Sequence, residues 1–213
     1  MRHGWKIARS LIIMGVALCG LTRHALGGEP TDDRLGMRTV PILLLSRSDV
    51  QKDLNLGPKQ STECKQAALK FYDRAFRLKG RKDAGAQAAR KAIDFETSAW
   101  LDKFLTPAQL ERLDQIDLQW EGASAMLSRP FLDESLNLTP QQKQQVVQCI
   151  EAGKAQRDRE GWSYENHVNQ TRTAISFLDA RQRSLWIGLI GRPCPFQVNA
   201  EPQTAQSRPA TPR

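Results

Sequence analysis

Apolar residues recur through the middle of the chain at steps of three and four. Cys64, Ala68, Phe71, Ala75 and Leu78 form one such stripe, and Leu110, Leu113, Ile116 and Trp120 form another. Val146 and Ile150 belong to a third, and Val168, Ile175 and Leu178 to a fourth. Steps of that length place side chains on one face of an α-helix. No stretch alternates apolar and polar residues with the β-branched enrichment that marks a strand. The pattern predicts an all-α fold, a bundle or cradle of amphipathic helices, over residues 42–196. Gly80 and Gly85 read as breaks between helices. Pro130 separates the helix after Thr106 from a short one over Leu132–Leu136.

One phrase marks the helix starts. Phe104–Gln109 reads FLTPAQ and Asn137–Gln142 reads NLTPQQ. Thr106 or Thr139 as N-cap accepts a hydrogen bond from an amide of the first turn. Pro107 or Pro140 then has its φ preset and no amide left unpaired. Gln109 or Gln142 reaches back to the cap's own N–H, closing a capping box. Leu105 or Leu138, just before the cap, is placed to pack against the new helix. Two weaker copies follow the same logic. LNLGPKQ keeps Leu56, Pro58 and Gln60 with Gly57 as cap; FLDARQ keeps Leu178 and Gln182 with Asp179 as cap. The leading leucines are 49, 33 and 40 residues apart. A solenoid with one period is therefore excluded. The spacing reads as pairs of motifs separated by long helices, with the motif residues acting as structural helix caps.

These recurring Leu-Thr-Pro-x-Gln phrases, in an all-helical pattern behind an export signal, resemble the LTxxQ-motif proteins, the Spy/CpxP-like periplasmic group. The resemblance spans about residues 50–186. It implies a small α-helical cradle, a homodimer, and ATP-independent binding of unfolded polypeptides on a concave face; other members are envelope-stress or metal-stress sensors. This chain is longer than the compact members and has four phrases where those usually have two.

The ends of the chain read differently from its middle. Arg2, Lys6 and Arg9 precede an apolar run over Leu11–Leu21, followed by small residues at Ala25 and Gly27. That is a secretory signal peptide over residues 1–28, cleaved near Gly27 or Gly28. The run is too short for a membrane helix, which needs roughly 20 residues, so no transmembrane helix is expected in the mature chain. Residues 29–41 read as a flexible lead-in and 197–213 as a disordered tail. One helical domain is expected between them, in an exported, periplasmic protein, with an uncleaved signal anchor or a lipid anchor at Cys19 as the alternatives.

Removing the signal takes away four basic residues (Arg2, Lys6, Arg9, Arg23) and no acidic one, so the net charge falls from +8 to +4. The overall basicity is then no sign of nucleic-acid binding. The remaining charge is concentrated. Ten basic residues lie between Lys59 and Lys91 against Glu63, Asp73 and Asp83. Aromatic residues interleave with them. Lys70, Phe71, Arg74, Phe76, Arg77 and Lys79 are the candidate residues for binding unfolded or partner polypeptides. The bland alternative puts the aromatics in the core and the cations in water.

Chemistry is sparse. His167 is the one histidine after processing, and it reads as a surface residue. Asp114 and Asp117 read as a solvated face rather than an acid–base pair. Cys64, Cys149 and Cys194 have no metal or redox spacing. One disulfide among them is open, with Cys194, between two prolines, expected to be exposed. No enzyme, cofactor or metal site is expected. The expected role is a chaperone or envelope-stress modulator. The alternatives are a regulator docking to a signalling partner and a structural module without a ligand.

Overall fold

The computed structural model describes residues 40–196. The signal peptide, nearly all of the lead-in and the tail lie outside the described residues. Within them the chain is all-α, without strands. The helices are α1 (Val40–Leu44), α2 (Ser48–Asp53), α3 (Pro58–Phe76), α4 (Ala84–Phe104), α5 (Pro107–Glu121), α6 (Ala125–Ser128), α7 (Pro130–Leu136), α8 (Pro140–Glu160), α9 (Tyr164–Ser176) and α10 (Ala180–Ile190), with a 3-10 turn over Gly122–Ser124. Pro130 opens α7, as its fixed φ favours. Gly80 lies in the α3–α4 turn, whereas Gly85 is inside the first turn of α4. The helical chain starts at Val40, two residues before the expected boundary.

The element order repeats. Two short helices, two long ones and a closing helix make α1–α5. The 3-10 turn with α6, then α7–α10, repeats that series. The sequence carries the repeat more faithfully than its capping phrases suggest: Leu54-Asn55-Leu56-Gly57-Pro58 matches Leu136-Asn137-Leu138-Thr139-Pro140. Both asparagines are left-handed, with φ of 53° and 47°. Asn tolerates that conformation better than other non-glycine residues, and here it ends a short helix two residues before the next N-cap. Corresponding core positions are equally buried: Val50 and Leu132, Cys64 and Val146, Leu113 and Trp186. Arg47 and Arg129 both precede the second short helix of their unit; Arg129 is buried and Arg47 half-buried.

Each unit has its own apolar cluster. The first gathers Ile42, Leu45, Val50, Cys64, Phe71, Ile93, Leu113 and Ile116. The second gathers Leu118, Met126, Leu132, Leu136, Val146, Ala174, Leu178 and Trp186. Helix α5 spans both, with Leu113 and Ile116 in the first and Leu118 in the second. It also packs against α10.

The motif glutamines hold each unit together. Gln109 Oε1 accepts from the Thr106 amide at 3.0 Å, which completes the capping box. Its Nε2 donates to the Leu54 carbonyl at 3.1 Å, across 55 residues. Gln182 does the same in the second unit. It accepts from the Asp179 amide at 2.8 Å and donates to the Leu136 carbonyl at 3.1 Å. Leu54 and Leu136 end short helices, where carbonyls lack intrahelical partners. One side chain therefore caps the start of its own helix and the end of another. Gln142 accepts from Thr139 N at 3.0 Å and donates to the Phe177 carbonyl at 2.9 Å. Its amide also pairs with that of Gln182, at 2.7 and 3.1 Å. Gln60 accepts from the Gly57 amide at 3.2 Å. Leu105, Leu138 and Leu178 are buried beside these caps.

One reading of the acidic residues is corrected here. Asp114 is exposed, but Asp117 is 2 % exposed and binds Arg129 Nη2 at 2.6 Å. Arg129 Nε also meets Glu121 at 2.8 Å. These pairs tie α5 to the start of α7. A face position on α5 became an ion-pair anchor because the second unit folds back over it.

Replacing Gln182 with Ala removes half of a capping box and orphans the buried Leu136 carbonyl. The expected loss is about 2–3 kcal/mol in urea unfolding. Ser135→Ala, on an exposed hydroxyl of α7, should change stability by less than about 0.5 kcal/mol.

Candidate functional site

The basic segment folds into the α3–α4 hairpin. Its spacing decides which residues face outward. Leu69, Tyr72 and Phe76 are three and four residues apart, on one side of α3. Leu69 is 44 % exposed and Phe76 47 %. Tyr72 is half-buried and stacks on Phe76, ring centroids 6.0 Å apart. On α4, Phe95 is 60 % exposed. Of the six residues expected from the sequence, Phe71 does not join this surface. It is buried and meets Trp100 edge-on at 6.4 Å. Lys70, Arg77 and Lys79 are exposed. Lys79 Nζ lies 5.5 Å from the centre of the Phe76 ring, a cation–π distance. Arg74 is half-buried and bound to Glu96 of α4 through two hydrogen bonds, 2.5 and 2.9 Å. That fork holds the Glu96 carboxyl below the ordinary carboxylate range. Arg74 thus braces α3 against α4 rather than offering a free charge. Leu69, Phe76 and Phe95 are thus the exposed apolar side chains of the hairpin, with Lys79 on Phe76 and Lys70 and Arg77 exposed on the same helix. Leu69 was missed because it adjoins the buried stripe residues Ala68 and Phe71 in sequence, and Phe95 because it follows the buried Ile93 by two residues.

The four capping motifs lie away from this surface, among the helix ends described above. They position helices and carry no reactive group. Among the described residues, no three His, Cys, Asp or Glu side chains converge to hold a metal ion. The three thiols are free. Cys64 sits in the first cluster and Cys149 packs against the second. Cys194 is buried, not exposed as its flanking prolines suggest, because the chain after α10 folds back onto the first cluster. Burial, reinforced by Glu63, pushes the Cys64 thiol up to about 12. Burial and the nearby Asp53 and Asp49 carboxylates push Cys194 to about 11. Neither is a thiolate at neutral pH, so neither is a ready nucleophile.

His167 is not a surface residue. It lies on α9 against Gly122, whose φ is +62°. A Cβ at Gly122 would sit 2.7 Å from His167 Cε1 and 2.4 Å from Thr171 Oγ1. The imidazole binds the Gln119 backbone, and its Nε2 is buried with no hydrogen-bond partner. Burial, with the positive charge of Arg157 adding to it, lowers its pKa below the usual 6.5. A small cleft lies beside it, lined by Gly153, Gln156, Arg157, Ser163, Asn166 and Gln170. Its room for solvent is about 10 Å³, the lower limit for one water. The cleft is too small for an organic substrate. The sequence missed this burial because α9 is polar on most sides, and only the tertiary contact with the 3-10 turn encloses the ring.

Compared with protein-family models, curated proteins and solved structures, the chain matches none. Among the described residues no helix is long and apolar enough to cross a membrane.

His167 gives a pH prediction with a definite sign. Its folded pKa lies below its unfolded value, so the unfolded chain takes up the proton first. Its contribution is complete above about pH 6.5 and is lost as pH falls through the folded value. Urea midpoints should drop between pH 7 and pH 5, and His167→Gln should flatten that part of the profile.

Proposed function

We propose that the mature chain is an exported protein that binds other polypeptides without ATP, as a chaperone or stress-response modulator. The observation that carries this reading is that one helical hairpin leaves Leu69, Phe76 and Phe95 exposed together with the cations Lys70, Arg77 and Lys79. Exposed apolar side chains gathered on one element mark interaction surfaces when they form a contiguous patch. Cations around them raise the encounter rate with acidic segments, and the apolar groups slow release. Recognition of a small organic ligand would call for a deeper recess than this open helical face offers.

Support also comes from the motifs. The four capping phrases and the signal-like start, Met1–Gly28, resemble the LTxxQ-motif proteins, for which client binding in the periplasm is the implied role. The two linked units offer a stable frame on which such a surface can stay exposed without unfolding.

Residues 29–213 should suppress light scattering when a chemically unfolded acidic client is diluted into buffer without ATP. Suppression should approach completion near one chain per client and weaken as salt rises from 50 to 300 mM. Phe76→Ser with Leu69→Ser should reduce it at least threefold while leaving the helical circular dichroism unchanged. No suppression at tenfold excess of the parent chain would contradict the reading.

A further inference from the structure

After α10 the chain runs back along the junction of the two units, and its seat is built in an uncommon way. Gln119 of α5 holds this strap by its backbone. Gln119 Nε2 donates to the Ile190 carbonyl at 2.7 Å and the Arg192 carbonyl at 2.8 Å. Its Oε1 accepts from the Cys194 amide at 2.7 Å. One side-chain amide therefore serves donor and acceptor groups of an irregular segment, as a paired strand would. Side chains then alternate in the seat. Cys194 and Phe196 are buried, while Pro193 and Pro195 are exposed. The ring of Phe196 meets Trp120 at 5.2 Å and Tyr164 at 5.8 Å, both edge-on, with the Arg47 guanidinium 5.7 Å away. At the other end Arg192 binds the buried Asp53 carboxylate at 2.8 Å and its carbonyl at 3.1 Å, although the arginine side chain is 60 % exposed. Asp53 is held in place by two bonds from Arg112, 2.7 and 3.1 Å.

These contacts have the parts of a peptide site: a side-chain clamp on the backbone, an anionic subsite for a cation, and an aromatic subsite four residues further on. The seat owes nothing to helix continuity, since the strap is not helical. We infer that this junction is an extended-polypeptide binding site occupied in cis by Arg192–Phe196, and that the segments it accepts from other chains carry Arg or Lys four residues before an aromatic residue. The inference deepens the polypeptide-binding reading and rests on it, but places a second, differently charged site away from the α3–α4 hairpin. The hairpin favours acidic segments; the Asp53 end of the junction favours basic ones. Release of the strap exposes the seat.

The test uses the full chain. Arg192→Ala with Phe196→Ala weakens both ends of the strap, and circular dichroism checks the fold. If the pair unfolds, Arg192→Ala alone, at the exposed end, replaces it. The probe is a fluorescein-labelled peptide of residues 190–196 with serine for Cys194, read by anisotropy. The strap variant should bind it at least tenfold more tightly than the parent chain. Adding Gln119→Leu to that variant should cost tenfold or more, and so should glutamate in place of the peptide's arginine. Equal binding by parent and strap variant, or indifference to the glutamate peptide, would overturn the inference. Light scattering with a basic, aromatic-rich client separates the two claims. Suppression that the strap variant leaves unchanged contradicts the junction as a client site. Absence of suppression by any variant, with any client, contradicts the polypeptide-binding reading itself.

Discussion

A glutamine amide has one acceptor and two donor hydrogens, and this fold uses both sides of it. In each unit the closing helix begins with a glutamine whose oxygen completes its own N-cap and whose nitrogen reaches the last carbonyl of a short helix more than forty residues away. Helix ends are where backbone groups lack partners. By satisfying two ends at once, Gln109 and Gln182 set the distance and angle between elements that local propensity leaves free. The leucines beside them then bury against a fixed wall. Each long hairpin, α3–α4 and α8–α9, is carried outward from such a pinned base.

The hairpins share a plan and differ in surface. In the second unit, Gln170 of α9 donates to the Cys149 and Ile150 carbonyls of α8 at 3.1 and 3.3 Å, and Gly153 leaves room for its side chain. In the first, the helices are braced by the exposed Arg74–Glu96 fork, and apolar side chains remain in water. An exposed ion pair contributes little, on the order of 0–1 kcal/mol. The α3–α4 hairpin leaves Leu69, Phe76 and Phe95 in water, and the α8–α9 hairpin leaves Val147 and Trp162, so the first differs chiefly in its cations. Charge on the units follows the same division, because the basic excess lies between Lys59 and Lys91.

Much of this was legible in the sequence. The all-α class, the helix starts at Pro107 and Pro140 and the short helix after Pro130 follow from local rules: apolar period, capping chemistry and proline geometry. The second role of the glutamines was not legible, since the Leu54 and Leu136 carbonyls are distant in sequence. The Leu-Asn-Leu repeat was visible but reads as ordinary loop composition until both asparagines are found left-handed. Burial of Asp117, His167 and Cys194 was misread for a common reason. Each lies on a locally polar or proline-flanked stretch, and each is enclosed only by a segment distant in sequence. The cationic half of the candidate surface was legible from charge alone. Its apolar half depended on which side of α3 faces α4, and Phe71 and Phe76, five residues apart, end on opposite sides of that decision.

The most direct test of the account is solvent exchange of the glutamine side-chain amides, followed by nuclear magnetic resonance with selective ¹⁵N labelling. If the glutamines pin the units, the Nε2 hydrogens of Gln109, Gln142 and Gln182 exchange at least a hundredfold more slowly than those of the exposed Gln66. Exchange of these three at the rate of Gln66 would mean that the pins do not form, and that each unit is held together without them.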